Sequence, residues 1–254
     1  MKHRTSILFF FCVAIFLLTS CSSPQYQYNT LTTDNSINNL SEILVTANVP
    51  EEDVETIINY IELYCTGIYA NDSLNSGWQT TNVLKELYDY TAAINSYAEQ
   101  EFDDLNCRQA AFILYHSFFS SAETNEPEIL DECRQLPQNM RSEQSNYTVL
   151  FGSLPLIDTV ERTVLNYWEE NDAVFAREQI QLVSLWGAKE EIIHNLHAGI
   201  LINKDDKIYF FEKTDPMTPY QLSIFETTDD LRNYLLNRTD EFSDMTVLID
   251  DRRL

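Results

Sequence analysis

Hydrophobic spacing changes character once along this chain, and that change dictates the class of fold open to it. Up to about residue 170, apolar residues recur at helical spacing. From Ile180 onward they fall into short β-rich runs split by turn residues. The acidic, proline-led start Pro50-Glu51-Glu52-Asp53 precedes Val54, Ile57, Ile58, Ile61 and Tyr64, and Gly67 marks the stop. After a loop from Asp72 to Thr81, the residues Val83, Leu84, Leu87, Tyr88 and Ile94 outline a second helix. A third runs from about Asn106 to Ser120 through Ala110, Ala111, Leu114, Tyr115 and Phe118. Residues 121–155 are acidic and irregular, with three prolines, and a helix through Ile157, Val160, Val164, Leu165 and Trp168 follows. Strands are then predicted over Ile180 to Trp186, Ala198 to Ile202, Ile208 to Phe211 and Gln221 to Phe225. A helix from Asp229 to Arg238 and a last strand at Val247-Leu248-Ile249 close the chain. Helices first and a strand meander later is an α+β order, with N-terminal helices packed on an antiparallel sheet, and not a βαβ order.

The N-terminus reads as an address. Lys2, His3 and Arg4 precede an apolar run from Ile7 to Leu18, too short to span a membrane comfortably. The run ends at Leu18-Thr19-Ser20-Cys21, which resembles a bacterial lipobox whose cysteine takes the lipid. The expected division is a signal peptide over 1–20, a lipidated Cys21 with a flexible polar tether over 21–39, and one domain over 40–254. Such a chain is held outside the cytoplasm by its lipid, at the outer membrane if the host is diderm. Losing Lys2 and Arg4 with the signal takes the formal charge from −24 to −26. That surface excludes nucleic acid as a partner.

Three cysteines remain after Cys12 and Cys21 are set aside. One arrangement bonds Cys65 to Cys133 and leaves Cys107 free; the other leaves all three reduced and buried. Cys107 follows Asn106, a natural N-cap. The first turn of a helix stabilises a thiolate and offers free N–H groups to an oxyanion. Cys107 also continues the apolar stripe through Ala110 and Ala111, which is the pattern of a core residue. His197 begins a strand-like run, and Glu212 sits on the next. With Ile202 opposite Lys207 across the turn, paired numbers sum to 409, which sets His197 directly opposite Glu212 on one face. A carboxylate there orients the imidazole and stabilises its cation. A one-residue slip would break the pairing. His116 lies nine residues past Cys107 and His194 falls before the strand. No third ligand sits at metal spacing near His194 and His197, so the pattern calls for no metal or cofactor.

The stretches Asn106-Cys107-Arg108, His197-Ala198-Gly199-Ile200-Leu201, Phe211-Glu212-Lys213, Pro219-Tyr220-Gln221 and Asp230-Leu231 with Asn233-Tyr234-Leu235 resemble a bacterial lipoprotein family known as domain of unknown function 4300. The likeness runs from about Leu40 to about Thr239. The order of helix-borne Cys, strand-borne His and next-strand Glu is also similar to NlpC-type and CHAP amidohydrolases of the papain-like superfold. That resemblance implies Cys107 as nucleophile, His197 as general base and Glu212 as orienting acid, in an envelope-anchored hydrolase or transferase acting on amide bonds of peptidoglycan or protein. Two departures stand out: Arg108 replaces the usual small residue, and only Gln100 offers itself as a side-chain oxyanion donor. The alternative function is a non-catalytic lipoprotein that binds a peptide or protein partner on the same scaffold.

Overall fold

The structure is a computed structural model, and it describes residues 26–67, 77–81, 91, 104–122, 130–176, 179–239 and 241–254. The signal segment, Cys21, the predicted helix over 83–94 and Gln100 lie outside these residues.

The chain is α+β. Among the described residues, nine strands form one antiparallel sheet in the order β11-β10-β6-β7-β8-β9-β1-β2, with β4 pairing β7 from the side, while β3 (Phe119–Ser120) and β5 (Val174–Phe175) pair apart from it. Its spine is three hairpin-connected strands, β6 (Ile180–Lys189), β7 (Ile192–Lys204) and β8 (Lys207–Lys213), followed by β9 (Tyr220–Phe225). The first two hairpins turn in two residues each, Glu190-Glu191 and Asp205-Asp206, all four at positive φ between 52° and 66°. Turns of that hand match the twist of the flanking strands. On the outer edges lie β1 (Tyr26–Asn29) with β2 (Gln79–Thr81), and β10 (Ser243–Ile249) with β11 (Arg252–Arg253).

Alternation along the strands sends one set of side chains to each face. One face, with Leu182, Trp186, Ala198 and Ile200, packs against helices α1 (Asp34–Thr46), α2 (Glu51–Gly67), α3 (Cys107–Tyr115), α4 (Gln144–Phe151) and α5 (Val160–Glu170) in the main core. The other face, with Val183, Leu185, Leu201 and Phe210, is covered by the closing helix α6 (Thr228–Leu236) through Leu231, Tyr234 and Leu235. Residues 109–115 of α3 are all buried, so this nine-residue helix is a central element and not an amphipathic surface one.

One interruption in the sheet places the site. Strand β7 has β6 along one side for its whole length. On its other side, β4 (Leu154–Pro155) pairs with Ile193 and Ile192, and β8 pairs with residues 199–204. Residues 194–198 therefore face a window in the ladder, and the first turn of α3 sits in it. A β-bulge at Leu196 marks the same stretch on the β6 side, between the pairs Leu185↔His197 and Trp186↔Asn195.

Several expectations are corrected. The segment over 21–39 is not all tether: Tyr26 and Tyr28 are buried in the sheet, and α1 begins at Asp34 under a Thr33–Ser36 capping box. The stretch over 121–155 contains α4, which carries its burial on Tyr147, Val149, Leu150 and Phe151. The run containing His197 starts five residues earlier, at Ile192, so His197 and His194 are both inside a strand. Cys65 and Cys133 are free thiols and do not bond each other. The Cys65 thiol donates to Leu31 O on one flank of the domain, whereas Cys133 is fully buried beside Thr148.

Candidate active site

Asn106 caps α3 as its residue type suggests. Its side chain accepts from Gln109 N, and the Gln109 side chain accepts from Asn106 N, at 2.9 and 2.8 Å. Glu132 holds the cap in place: Oε2 accepts from Asn106 Nδ2 at 2.8 Å and from Arg108 Nη2 at 2.6 Å, and Oε1 accepts from the Tyr147 hydroxyl. On the entering side, Asp104 Oδ2 pairs with the fully buried Lys213 ammonium at 2.8 Å and accepts from Met217 N. Lys213 lies over the rings of Tyr220 and Tyr64, 4.1 and 4.6 Å from their centroids. Burial lowers this lysine to about 8, with Asp104 opposing the shift. Cys107 is thus the first residue of a helix whose start is tied down from two directions.

The thiol meets the β7 window. It lies beside the His197 imidazole and the Ala198 N–H, near enough for both to act on its charge. His197 Nε2 bonds Glu212 Oε2 at 2.7 Å, which leaves Nδ1 for the sulfur. The predicted register is corrected here. The hairpin is tighter by two residues, and Glu212 stands opposite Gly199, not His197. A shift of two preserves the face, so His197 is the diagonal neighbour of Glu212. Gly199 has no side chain to intervene, and the Phe210 ring and Phe211 carbonyl fill that space; a Cβ would lie 2.5 Å from Phe210 Cζ and 2.7 Å from Phe211 O.

Glu212 is 1 % exposed and accepts four bonds. Beyond His197, they come from the Tyr234 hydroxyl at 2.6 Å, from Gln221 Nε2 at 3.1 Å and from Arg238 Nη1. Burial pushes this carboxyl up, but Arg238 and His197 outweigh it and hold it at about 2. Burial and Arg238 push His197 down; the Cys107 thiolate and Glu212 prevail, and the imidazole lies above its ordinary value. Burial likewise pushes the Cys107 thiol up, while His197, Arg108 and Ala198 N–H bring it below its ordinary value. The two shifts share a cause, because the charged form of each group favours the charged form of the other, so the pair titrates as a unit. Cys65 and Cys133, raised by burial to about 11, have no such partner. His197 is 3 % exposed, whereas Cys107 is half-buried, so the sulfur-bearing residue is the one that meets the outside. Chemically, this arrangement can present a nucleophile, a proton carrier and a fixed counter-charge in that order.

The structure therefore brings Cys107, His197 and Glu212 together. His116 lies apart from them, bridging Asp53 and Glu143 at 3.0 and 3.1 Å. His194 bonds Ser153 Oγ. Sequence reasoning missed the shell around Glu212. Tyr234 is in the last turn of α6, Arg238 lies two residues past its end, and Gln221 stands directly opposite Glu212 on β9; their roles become visible only once the sheet register is known. Glu132 was hidden in a stretch read as irregular.

No curated protein and no solved structure matches the chain. A family described as Domain of unknown function (DUF4300) matches residues 27–249, a span that contains every residue of this cluster. The chain belongs to that family.

Proposed function

We propose that the protein is a cysteine hydrolase or transferase acting on amide bonds, with Cys107 as nucleophile, His197 as general base and acid, and Glu212 as the orienting carboxylate. The observation that carries this reading is the Cys107–His197 contact backed by the 2.7 Å His197–Glu212 bond. The lowered thiol and raised imidazole support it, because an activated cysteine needs both. The order of the three groups, on a helix, a strand and the next strand, supports a papain-like architecture of the NlpC or CHAP kind. The lipobox-like Leu18-Thr19-Ser20-Cys21 supports anchoring of the domain at the envelope surface, where peptidoglycan peptides and envelope proteins are the amides at hand.

In the proposed reaction the thiolate attacks the amide carbonyl carbon, and the C–S bond forms as the π electrons move to oxygen. The tetrahedral adduct collapses, the C–N bond breaks, and His197 passes its proton to the departing amine. Water, or an amine in the transferase case, then attacks the thioester. His197 takes the proton, and the thiol is released. In this reaction, backbone N–H groups in the first turn of α3 would donate to the oxyanion.

Cys107→Ala is expected to abolish turnover of peptidoglycan fragments while the thermal melt stays within a few degrees of wild type. A fully active alanine variant would end the proposal.

A further inference from the structure

Two side chains at the β7 window carry buried polar atoms that find no hydrogen-bond partner among the described residues. Asn195 is 5 % exposed, and neither its Oδ1 nor its Nδ2 makes a hydrogen bond. Arg108 Nε is buried and unpaired as well. The two are neighbours: Arg108 Nη1 reaches Asn195 O at 3.4 Å. A buried carboxamide with both ends unsatisfied is costly and uncommon, and it calls for a specific explanation.

Placement supplies one. Asn195 pairs with Trp186, and His197 with Leu185, so the bulge at Leu196 turns these two side chains to opposite faces. His197 goes to the α6 side with Glu212, and the Asn195 side chain goes to the face of Trp186 and the α3 side, while its backbone carbonyl accepts from Arg108, the residue after Cys107. The thiol thus has its base on one side of the strand and an unfilled donor–acceptor pair on the other. A carboxamide offers one donor and one acceptor, which is the complement of a secondary amide. Arg108 Nε adds a second donor suited to a carbonyl oxygen.

We propose that Asn195 and Arg108 form an amide-binding subsite for a peptide substrate, in which the Asn195 carboxamide pairs with a backbone amide flanking the bond that Cys107 attacks. This rests on the nucleophile reading above and narrows its substrate class to compounds with at least two successive amides. In this reading strand β7 supplies both the base and the substrate clamp from one window.

The test compares two reagents with one warhead. Chloroacetone carries the chloromethyl ketone alone. Acetyl-Ala-Ala chloromethyl ketone adds amides. In each, the Cys107 thiolate forms a C–S bond and displaces chloride. Rates are read on the full chain by mass spectrometry of the Cys107-bearing peptide. Wild type is expected to favour the peptide reagent. Asn195→Ala is expected to cut that preference about tenfold, the value of a lost hydrogen-bond pair, with the chloroacetone rate and its pH profile unmoved. Asn195→Leu, apolar and close in size, is expected to do the same while raising Tm, because an unpaired buried group has been removed. An unchanged preference in both variants overturns the subsite, as does a wild type with no preference. A lower Tm with both reagents slowed marks Asn195 as structural and also overturns it. A wild-type chloroacetone profile that rises only at ordinary thiol pH overturns the nucleophile reading, and the subsite with it.

Discussion

Glu212 is the residue on which the cluster balances, since it accepts from His197, Tyr234, Gln221 and Arg238 at once. Its folded pKa of about 2 lies below the ordinary carboxyl value of 4.5. The stability it contributes is therefore complete above about pH 4.5 and is lost as pH falls toward 2. That difference corresponds to roughly 3 kcal/mol. Glu212→Gln leaves Arg238 and His197 without their counter-charge, and it is expected to cost about 3–5 kcal/mol at neutral pH. Urea titrations at pH 7 and pH 3 check both statements: the gap between variant and wild type should shrink at the lower pH, and a constant gap would refute the linkage. Gly199 stands directly opposite Glu212 on β7. Gly199→Ala must displace the Phe210 ring or the Phe211 carbonyl. The expected loss is about 1–3 kcal/mol, together with a rise in the pH at which Cys107 becomes reactive, because Glu212 no longer reaches His197. Unchanged thiol reactivity in a destabilised variant would count against that second part. At this scale the sequence was informative about residue type: Asn106 as cap, Cys107 in a first turn, and a His and a Glu on adjacent strands were all readable. Which atoms surround the carboxylate was not, since that depends on how α6 lies across β8 and β9.

Elements with strong periodicity were legible and those that depend on distant partners were not. The spine strands β6 to β9 appeared with the right identity because branched and aromatic residues alternate or run together between turns. Their ends were drawn short: β7 extends back to Ile192 through Asn195 and His194, polar residues that look like a loop and are held in the strand by β6, with β4 pairing Ile192 and Ile193 beyond them. The bulge at Leu196 has no sequence signature of its own. Strand β1 was invisible because four residues of a polar stretch become a strand only between β9 and β2. The register error had a local cause. Asp205 and Asp206 form the tight turn themselves, at φ 52° and 57°, although aspartate is a poorer occupant of that geometry than glycine. Replacing the pair by Asn-Gly is expected to stabilise the protein by about 0.5–1 kcal/mol. The turn is far along the hairpin from His197, so Cys107 reactivity should not change. Chemical denaturation provides the check, and a destabilised variant would show that the aspartates do more than turn the chain.

For the molecule as a whole, the sheet is what joins the N-terminal segment to the site. Tyr26 and Tyr28 are buried, and the Tyr26 ring packs on Phe225 at 5.4 Å between centroids. A chain starting at residue 30 gives up both side chains and bares the edge of β9. It is expected to lose about 3–5 kcal/mol relative to one starting at residue 26, as measured by denaturant midpoints; equal midpoints would show that β1 is dispensable. Under the proposed lipid anchor, the same strand would limit how far the β7 window can roam. With a lipid on Cys21, only residues 22–25 separate the anchor from the first residue of the sheet. Four residues span at most about 14 Å when fully drawn out, roughly half the thickness of a bilayer's hydrocarbon core. Under the proposed anchoring, a domain on so short a leash would work where it is planted. It would sample bonds in the layer next to its own membrane and not reach across the envelope for them, so lengthening the leash should change which bonds it meets without altering the proposed chemistry.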